Sequence, residues 1–181
     1  AFCSQLGLLK FWSNFRSIIL DSRYHGQYAY RVCYRAALLP ESPTKRCFHF
    51  SEAALAKARE LGLKPISVII MDPRTSLVAC LSEEGVSQMR WRIAQGKANA
   101  AIKLGLGTRA LMARAEQQAY FIQAMNGLAD GEFVPVPGGV LIRDADGNLL
   151  GAIGISGDTS DNDEAAALAG IAAAGLVAET G

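Results

Sequence analysis

Residues 140–156, with the sequence VLIRDADGNLLGAIGIS, decide the fold class of this chain. Two apolar runs, at 140–143 and 149–156, flank the polar segment 144–148, which contains Asp144, Asp146 and Gly147. Asp and Gly in a short connection between two apolar runs are the usual signal of a β-hairpin. A hairpin pairs its strands antiparallel, whereas parallel strands need a longer crossover. The stretch therefore predicts an antiparallel sheet.

The remaining patterns predict a second hairpin and four helices. Pro73 suits a tight turn between strands at 66–71 and 77–81. Helical spacing of apolar residues, with Ser or Gly near the ends, indicates the helices. They are expected at residues 52–61, 87–104, 108–125 and 161–177. The order α-β-β-α-α-β-β-α, with hairpins in place of crossovers, predicts an α+β domain.

The beginning of the chain differs in composition from the rest. Residues 1–49 contain seven Lys or Arg against two acids, and residues 50–181 contain eleven bases against fifteen acids. We predict a basic, aromatic-rich extension at 1–47 and a globular domain at 48–181. The extension has the Arg-rich, acid-poor composition of a targeting segment, and a linker or a translated artefact are the alternatives. The cytoplasm is the expected location, or a mitochondrion or plastid if 1–47 is a transit segment.

Charge and motif spacing argue against several classes of function. A domain with four more acids than bases is not expected to bind nucleic acid. No apolar run reaches the roughly 18–20 residues of a membrane span. Cys80 is the one cysteine after residue 47, so no metal site is expected. The glycines at 105 and 107 follow a helical pattern, whereas a dinucleotide fingerprint follows a strand.

The candidate ligand-binding residues lie in four places that the second hairpin brings into one region. They are a loop before the hairpin, the turn after it, the first turn of the last helix, and the helix at 87–104. Close backbone approach at the glycines, N–H groups at a helix start and a lysine counter-charge would suit an anionic ligand. The residues are Pro137, Gly138, Gly139, Ser156, Gly157, Asp158, Asp163, Glu164 and Lys97.

The same residues also have purely structural interpretations. The acids would complement the start of the last helix, with Ser160 or Asp161 accepting backbone N–H bonds as its cap. Lys97 would extend its aliphatic stem along apolar neighbours and place its charge in solvent. The residues alone leave both interpretations open.

Three motifs carry a resemblance to a known family, with support from SVIIMD at 67–72. They are VPGGVLI at 136–142, GAIGISG at 151–157 and DNDEA at 161–165. On these motifs, residues 48–178 resemble the GlcG/HbpS family, formerly a domain of unknown function. The resemblance implies a profilin-like fold, with a five-stranded antiparallel sheet and helices on its faces. Because the patterns give four strands, a fifth is expected near Phe133 and Val134.

The resemblance also implies a function. GlcG/HbpS proteins are similar to haem-binding and haem-degrading accessory proteins and to the C-terminal domain of some corrinoid adenosyltransferases. A small-molecule-binding module is implied, with haem or a small anionic metabolite as ligand, acting as a homo-oligomer. The alternative is an enzyme that degrades haem or acts on a small hydroxy acid, using the acids of 158–164.

Haem binding would need an unusual iron ligand in this chain. The domain has no obvious axial histidine, since His49 stands at its edge, and the His-Glu-x-x-Glu motif is absent. Cys80, Met89, Tyr120 or a threonine would have to bind the iron.

Overall fold

The computed structural model describes residues 43–181, with side chains described from His49 onward, and the predictions for residues 1–42 lie outside this part. Within it, helices and strands alternate in small groups. They are α1 Pro43–Glu60, β1 Ser67–Met71, β2 Leu77–Ser82, α2 Arg90–Leu104, α3 Thr108–Gln117, α4 Ala119–Leu128, β3 Gly139–Arg143, β4 Leu149–Ser156, α5 Ser160–Ala173 and β5 Val177–Glu179.

The five strands form one antiparallel sheet in the order β2-β1-β4-β3-β5. Both predicted hairpins are present, and Asp144 closes the second by accepting the N–H groups of Asp146 and Asn148. The expected α+β class with a five-stranded antiparallel sheet is therefore confirmed. The fifth strand is Val177–Glu179, so its expected position near Phe133 was wrong.

Helices cover both faces of the sheet. α1 and α5 pack on one face, where Val68 and Ile153 belong to the larger core cluster. α2 packs on the other face, against Ile69 and Leu141. α2 lies close to β4, because a Cβ on Gly154 would collide with the carbonyl oxygen of Ala94. This close approach places the side chains of α2 beside the end of β4.

α1 begins at Pro43 rather than at residue 52. A proline is favourable in the first turn of a helix, where its missing N–H is not needed. Phe50, Ala54 and Ala58 then recur at four-residue intervals and are buried in the core shared with α5. The apolar stripe of α1 covers α5, whose own sequence is apolar nearly all round.

Two other helix predictions were wrong in their bounds. The helix expected at 108–125 is broken at Gln118, whose φ of −136° and ψ of 56° leave the helical region. The break turns α4 so that Ile122 packs with Leu111 and Phe133 in a third cluster. The last helix ends at Ala173, and the chain turns at Gly175 to enter β5. Apolar periodicity does not distinguish a continued helix from a break or a short buried strand.

Among the described residues, no helix has both the length and the apolar character that crossing a bilayer requires.

Candidate functional site

The predicted site residues converge on a buried ion pair between Lys97 of α2 and Asp163 of α5. Lys97 Nζ lies 2.7 Å from Asp163 Oδ2 and donates a second hydrogen bond to the carbonyl oxygen of Ile155 at 2.9 Å. Both residues are 1% exposed. One ammonium therefore joins α2, the end of β4 and the start of α5.

The loop before β3 closes over this ion pair. Pro137, Gly138 and Gly139 are buried, and Gly138 has a φ of +110°. A Cβ at Gly138 would lie 2.8 Å from Lys97 Nζ, so only glycine lets the loop approach the ammonium so closely. Thr108 Oγ1 accepts the N–H of Gly139 at 2.8 Å and donates to its carbonyl oxygen at 3.0 Å. Thr108 thus fixes the loop through both the N–H and the carbonyl of Gly139.

Burial acts against the charges of both partners in the ion pair. Removal from water raises the pKa of Asp163, while the attraction of Lys97 acts in the opposite direction. Desolvation likewise lowers the pKa of Lys97, against the attraction of Asp163. Asp163 Oδ1 also accepts the N–H of Asp158 at 3.1 Å, which anchors the turn after β4.

The turn after β4 places Gly157 and Asp158 at the start of α5. Gly157 is buried against the backbone of Pro65, whereas Asp158 is partly exposed. Asp158 accepts hydrogen bonds from the N–H of Lys64, the N–H of Thr159 and the side chain of Asn162. These bonds, the one from Asn162 first, lower the pKa of Asp158 to about 2. Asp158 is thus a structural carboxylate at neutral pH.

The cap of α5 differs from the predicted one. Thr159 is the N-cap and its side chain accepts the N–H of Asn162, so the capping expectation for Ser160 or Asp161 was wrong. Asp161 instead pairs with Arg109 at 2.5 Å.

Glu164, the remaining predicted acid, is 6% exposed. Its Oε1 accepts a hydrogen bond from Arg109 Nε at 2.7 Å, and its Oε2 is buried without a hydrogen-bond partner among the described residues.

Ser156 lies in a polar row that sequence reasoning missed. It faces Ser67 across the β4–β1 pair, and Ser67 faces Ser82 across the β1–β2 pair. Ser67 Oγ and Ser82 Oγ are 2.8 Å apart, and Ser156 Oγ accepts a hydrogen bond from Arg90 Nη1 at 3.3 Å. No local sequence pattern predicts this row, because the three serines are far apart in the chain and only the strand register brings them together.

The four candidate types of iron ligand differ in their exposure. Cys80 is half-buried on β2, and burial raises the pKa of its thiol. Met89, just before α2, is 58% exposed, and Tyr120 on α4 is 75% exposed. Thr108 is buried and bound to Gly139. No group of three or more His, Cys, Asp or Glu within 43–181 is arranged to hold a metal ion.

A shallow groove lies away from the ion pair, between α3, α4 and the loop before β3. Its volume is about 340 Å³. It is lined by Ala115, Ala119, Ile122, Gln123, Asn126, Phe133 and Pro135. None of the predicted site residues lines this groove.

Comparisons with known proteins support the assignment of the fold. The chain is similar to the crystal structure of a PduOC:heme complex, with a TM-score of 0.67, 24% identity, and coverage of 78% of this chain and 98% of that one. It is similar to Klebsiella pneumoniae protein ORFY, with a TM-score of 0.66, 17% identity, and coverage of 80% and 97%. A double mutant of Streptomyces reticuli HbpS gives a TM-score of 0.61 and 25% identity, again covering 80% and 97%.

No curated protein matches the chain. Residues 44–172 match the family model described as haem degrading protein HbpS-like. This match spans most of the chain and includes all the predicted site residues, so the chain belongs to the HbpS-like family.

Proposed function

We propose that this protein is a small-molecule-binding module for haem or a small anionic metabolite, and that it acts as a homo-oligomer. Its membership in a family described as haem degrading and HbpS-like carries the proposal. The solved structure of a PduOC:heme complex, which has the same fold, makes haem the first ligand to test.

The site we propose lies around the Lys97–Asp163 ion pair. The two buried charges fix the three elements around the site, because Lys97 of α2 bonds to the end of β4 and to the start of α5. The remaining predicted residues would form the surface toward the ligand. They are Pro137, Gly138, Gly139, Ser156, Gly157, Asp158 and Glu164.

If the chain binds haem, Met89, Tyr120, Cys80 or a threonine would have to hold the iron. Within 43–181 the one histidine is His49, which is exposed on α1. Met89 and Tyr120 are exposed, and a thioether or a phenolate oxygen can bind haem iron. The Cys80 thiol is a weaker candidate, because its raised pKa favours the protonated form. Haem would supply redox chemistry and oxygen binding, while the chain would supply its pocket.

Catalysis is the second candidate function, and the burial of Asp163 and Glu164 favours it. Burial raises the pKa of Asp163, and Glu164 keeps one buried oxygen without a hydrogen-bond partner among the described residues. A carboxyl group with a raised pKa, such as that of Asp163, suits acid–base work on haem or on a small hydroxy acid.

A haemin titration of the purified chain tests the proposal. We expect a shifted Soret band that saturates at a fixed stoichiometry and disappears when haemin is extracted by excess apomyoglobin. A stable spectrum over hours would favour binding, and loss of the Soret band with added reductant would favour degradation. A featureless, non-saturating response to haemin would contradict the haem form of the proposal.

A further inference from the structure

We propose that Arg90 and the serine row of Ser156, Ser67 and Ser82 form a binding site for a carboxylate group. The carboxylate would belong to a haem propionate or to a small hydroxy acid. This inference rests on the proposed small-molecule-binding function and names the group that the protein recognises.

The serine row interrupts an otherwise apolar face of the sheet. The positions of β1 and β4 that face α2 are apolar at Ile69 and Ala152. At the end of the strand pair they become polar, at Ser67 of β1 and Ser156 of β4. Ser67 is fully buried and Ser156 is 1% exposed. Burying hydroxyl groups costs free energy unless they find hydrogen-bond partners. The Ser67–Ser82 bond and the bond from Arg90 to Ser156 offset part of this cost.

Ser156 has a donor that the described part of the chain leaves unused. Its oxygen accepts the hydrogen bond from Arg90 Nη1, and no described residue accepts its hydroxyl proton. The Ser67–Ser82 pair shares one hydrogen bond, and Ser82 also has a hydrogen bond with the Cys80 thiol. Ser156 is thus a buried side chain with a free donor.

Arg90 is a half-buried cation with no acidic partner among the described residues. The ion pairs there use Arg59, Arg74, Arg109 and Arg143 but not Arg90. A guanidinium has five N–H donors, and one of them is engaged, in a 3.3 Å bond to Ser156. The other donors and the positive charge remain available.

Two acids near this site, Asp163 and Glu83, already have partners. Asp163, whose charge interacts with that of Arg90, is paired with Lys97. Glu83, which follows Ser82, pairs with Arg59 and accepts the N–H of Ile66. The Lys97–Asp163 and Arg59–Glu83 pairs are each neutral, and Arg90 has no ion-pair partner of its own among the described residues.

The surroundings supply donors and an apolar rim rather than acceptors. Met89 is the N-cap of α2 and provides no side-chain cap for its first N–H groups. Met89 and Trp91, on either side of Arg90 in the chain, are 58% and 38% exposed. A planar guanidinium matches a carboxylate through two parallel hydrogen bonds. The site thus suits an organic molecule that carries a carboxylate.

The first experiment compares haemin with its dimethyl ester, in which both carboxylates are blocked. Wild type, Arg90→Gln and the control Arg92→Gln are titrated with each porphyrin. Arg92 is the next arginine on α2, is exposed, and places its guanidinium over the Trp91 ring. Ser156→Ala provides a second test in case Arg90→Gln perturbs the fold, and circular dichroism checks each variant.

We expect Arg90→Gln to weaken haemin binding by about 10-fold or more, since charge-assisted hydrogen bonds are lost. The ester should bind wild type and Arg90→Gln alike, and Arg92→Gln should behave as wild type with both porphyrins. Ser156→Ala should weaken haemin binding in the same direction. Equal haemin affinity for wild type and the two site variants would overturn the inference and leave the haem-binding proposal standing.

The second experiment distinguishes a free hydroxy acid from a haem propionate. Lactate is titrated into wild type and Arg90→Gln by calorimetry, with propane-1,2-diol, a neutral diol of similar size, as the control for non-specific effects. If haemin does not bind, Arg90-dependent lactate binding would support the site and reject haem as the ligand. If neither haemin nor lactate binds, the inference is overturned together with the proposed function.

Discussion

At the scale of single residues, the buried Lys97–Asp163 pair is the contact on which the candidate site depends. Two charges that are each about 1% exposed have lost their hydration, and their mutual attraction compensates for only part of that loss. Lys97 also donates a hydrogen bond to the carbonyl oxygen of Ile155, and Asp163 also accepts one from the N–H of Asp158. Removing one partner leaves an isolated buried charge, whereas removing both leaves no buried charge and costs only the bonds to Ile155 and Asp158.

Lys97→Met is expected to lower the free energy of unfolding by about 3–5 kcal/mol, because Asp163 stays buried without its cation. The double substitution Lys97→Met with Asp163→Leu should recover much of that loss, since an apolar pair carries no desolvation penalty. Urea denaturation measures both. Lys103→Met, at an exposed position of the same helix, is the control and should change stability little. A Lys97→Met protein as stable as the control would contradict this account.

At the scale of elements, the start of α5 is fixed by the turn that precedes it. Asp158 accepts three hydrogen bonds, Thr159 caps the helix, and Asp163 holds the N–H of Asp158. α2 is fixed in the same region by its contact with Gly154. The position of both helices relative to β4 therefore depends on a few polar contacts and on the absence of a side chain at Gly154.

The turn should give the protein an acid-sensitive contribution to stability. The pKa of Asp158 is lowered from 3.8 to about 2, so the folded chain favours the carboxylate over the protonated form. The contribution is complete above pH 3.8 and is lost as the pH falls through about 2. Asp158→Asn should flatten the pH dependence of the thermal midpoint between about pH 4 and 2. Asp146→Asn, in an exposed turn, should leave the slope as in wild type.

At the scale of the whole molecule, the proposed homo-oligomer depends on the apolar surface that the chain itself leaves exposed. The last helix is apolar nearly all round, but α1 of the same chain covers part of it, burying Gly170 against the backbone of Phe50. Leu168 of α5 remains 37% exposed, and Tyr120 and Leu128 of α4 are 75% and 78% exposed. These side chains are the apolar surface that copies of the chain would bury in the proposed homo-oligomer.

We expect a native mass of at least twice the 19.3 kDa of the chain in sedimentation or native mass spectrometry. The physical reason is the burial of exposed apolar surface between copies. Measurement between about 1 and 50 µM would separate a stable oligomer from weak association. A monomer throughout that range would contradict the proposed homo-oligomer.

Sequence and structure agree where the information is local. Turn residues and alternating apolar runs place both hairpins, and Gly105 ends α2 as a left-handed cap. The clustering of the candidate site also follows from the chain, because strand ends and helix starts adjoin along it. The predicted helix bounds were wrong where one apolar pattern fits both a continuous helix and another structure, as at the break at Gln118 and at β5.

The sequence by itself determined the α+β class, the antiparallel sheet and the two hairpins. Only the tertiary structure decided that Lys97 pairs with Asp163, 66 residues away, and that Ser82, Ser67 and Ser156 stand in one row. Turns and helix ends depend on neighbouring residues, which the chain order displays. Ion pairs and strand register depend on which distant surfaces are buried together, and that is settled by packing the sheet between its helices.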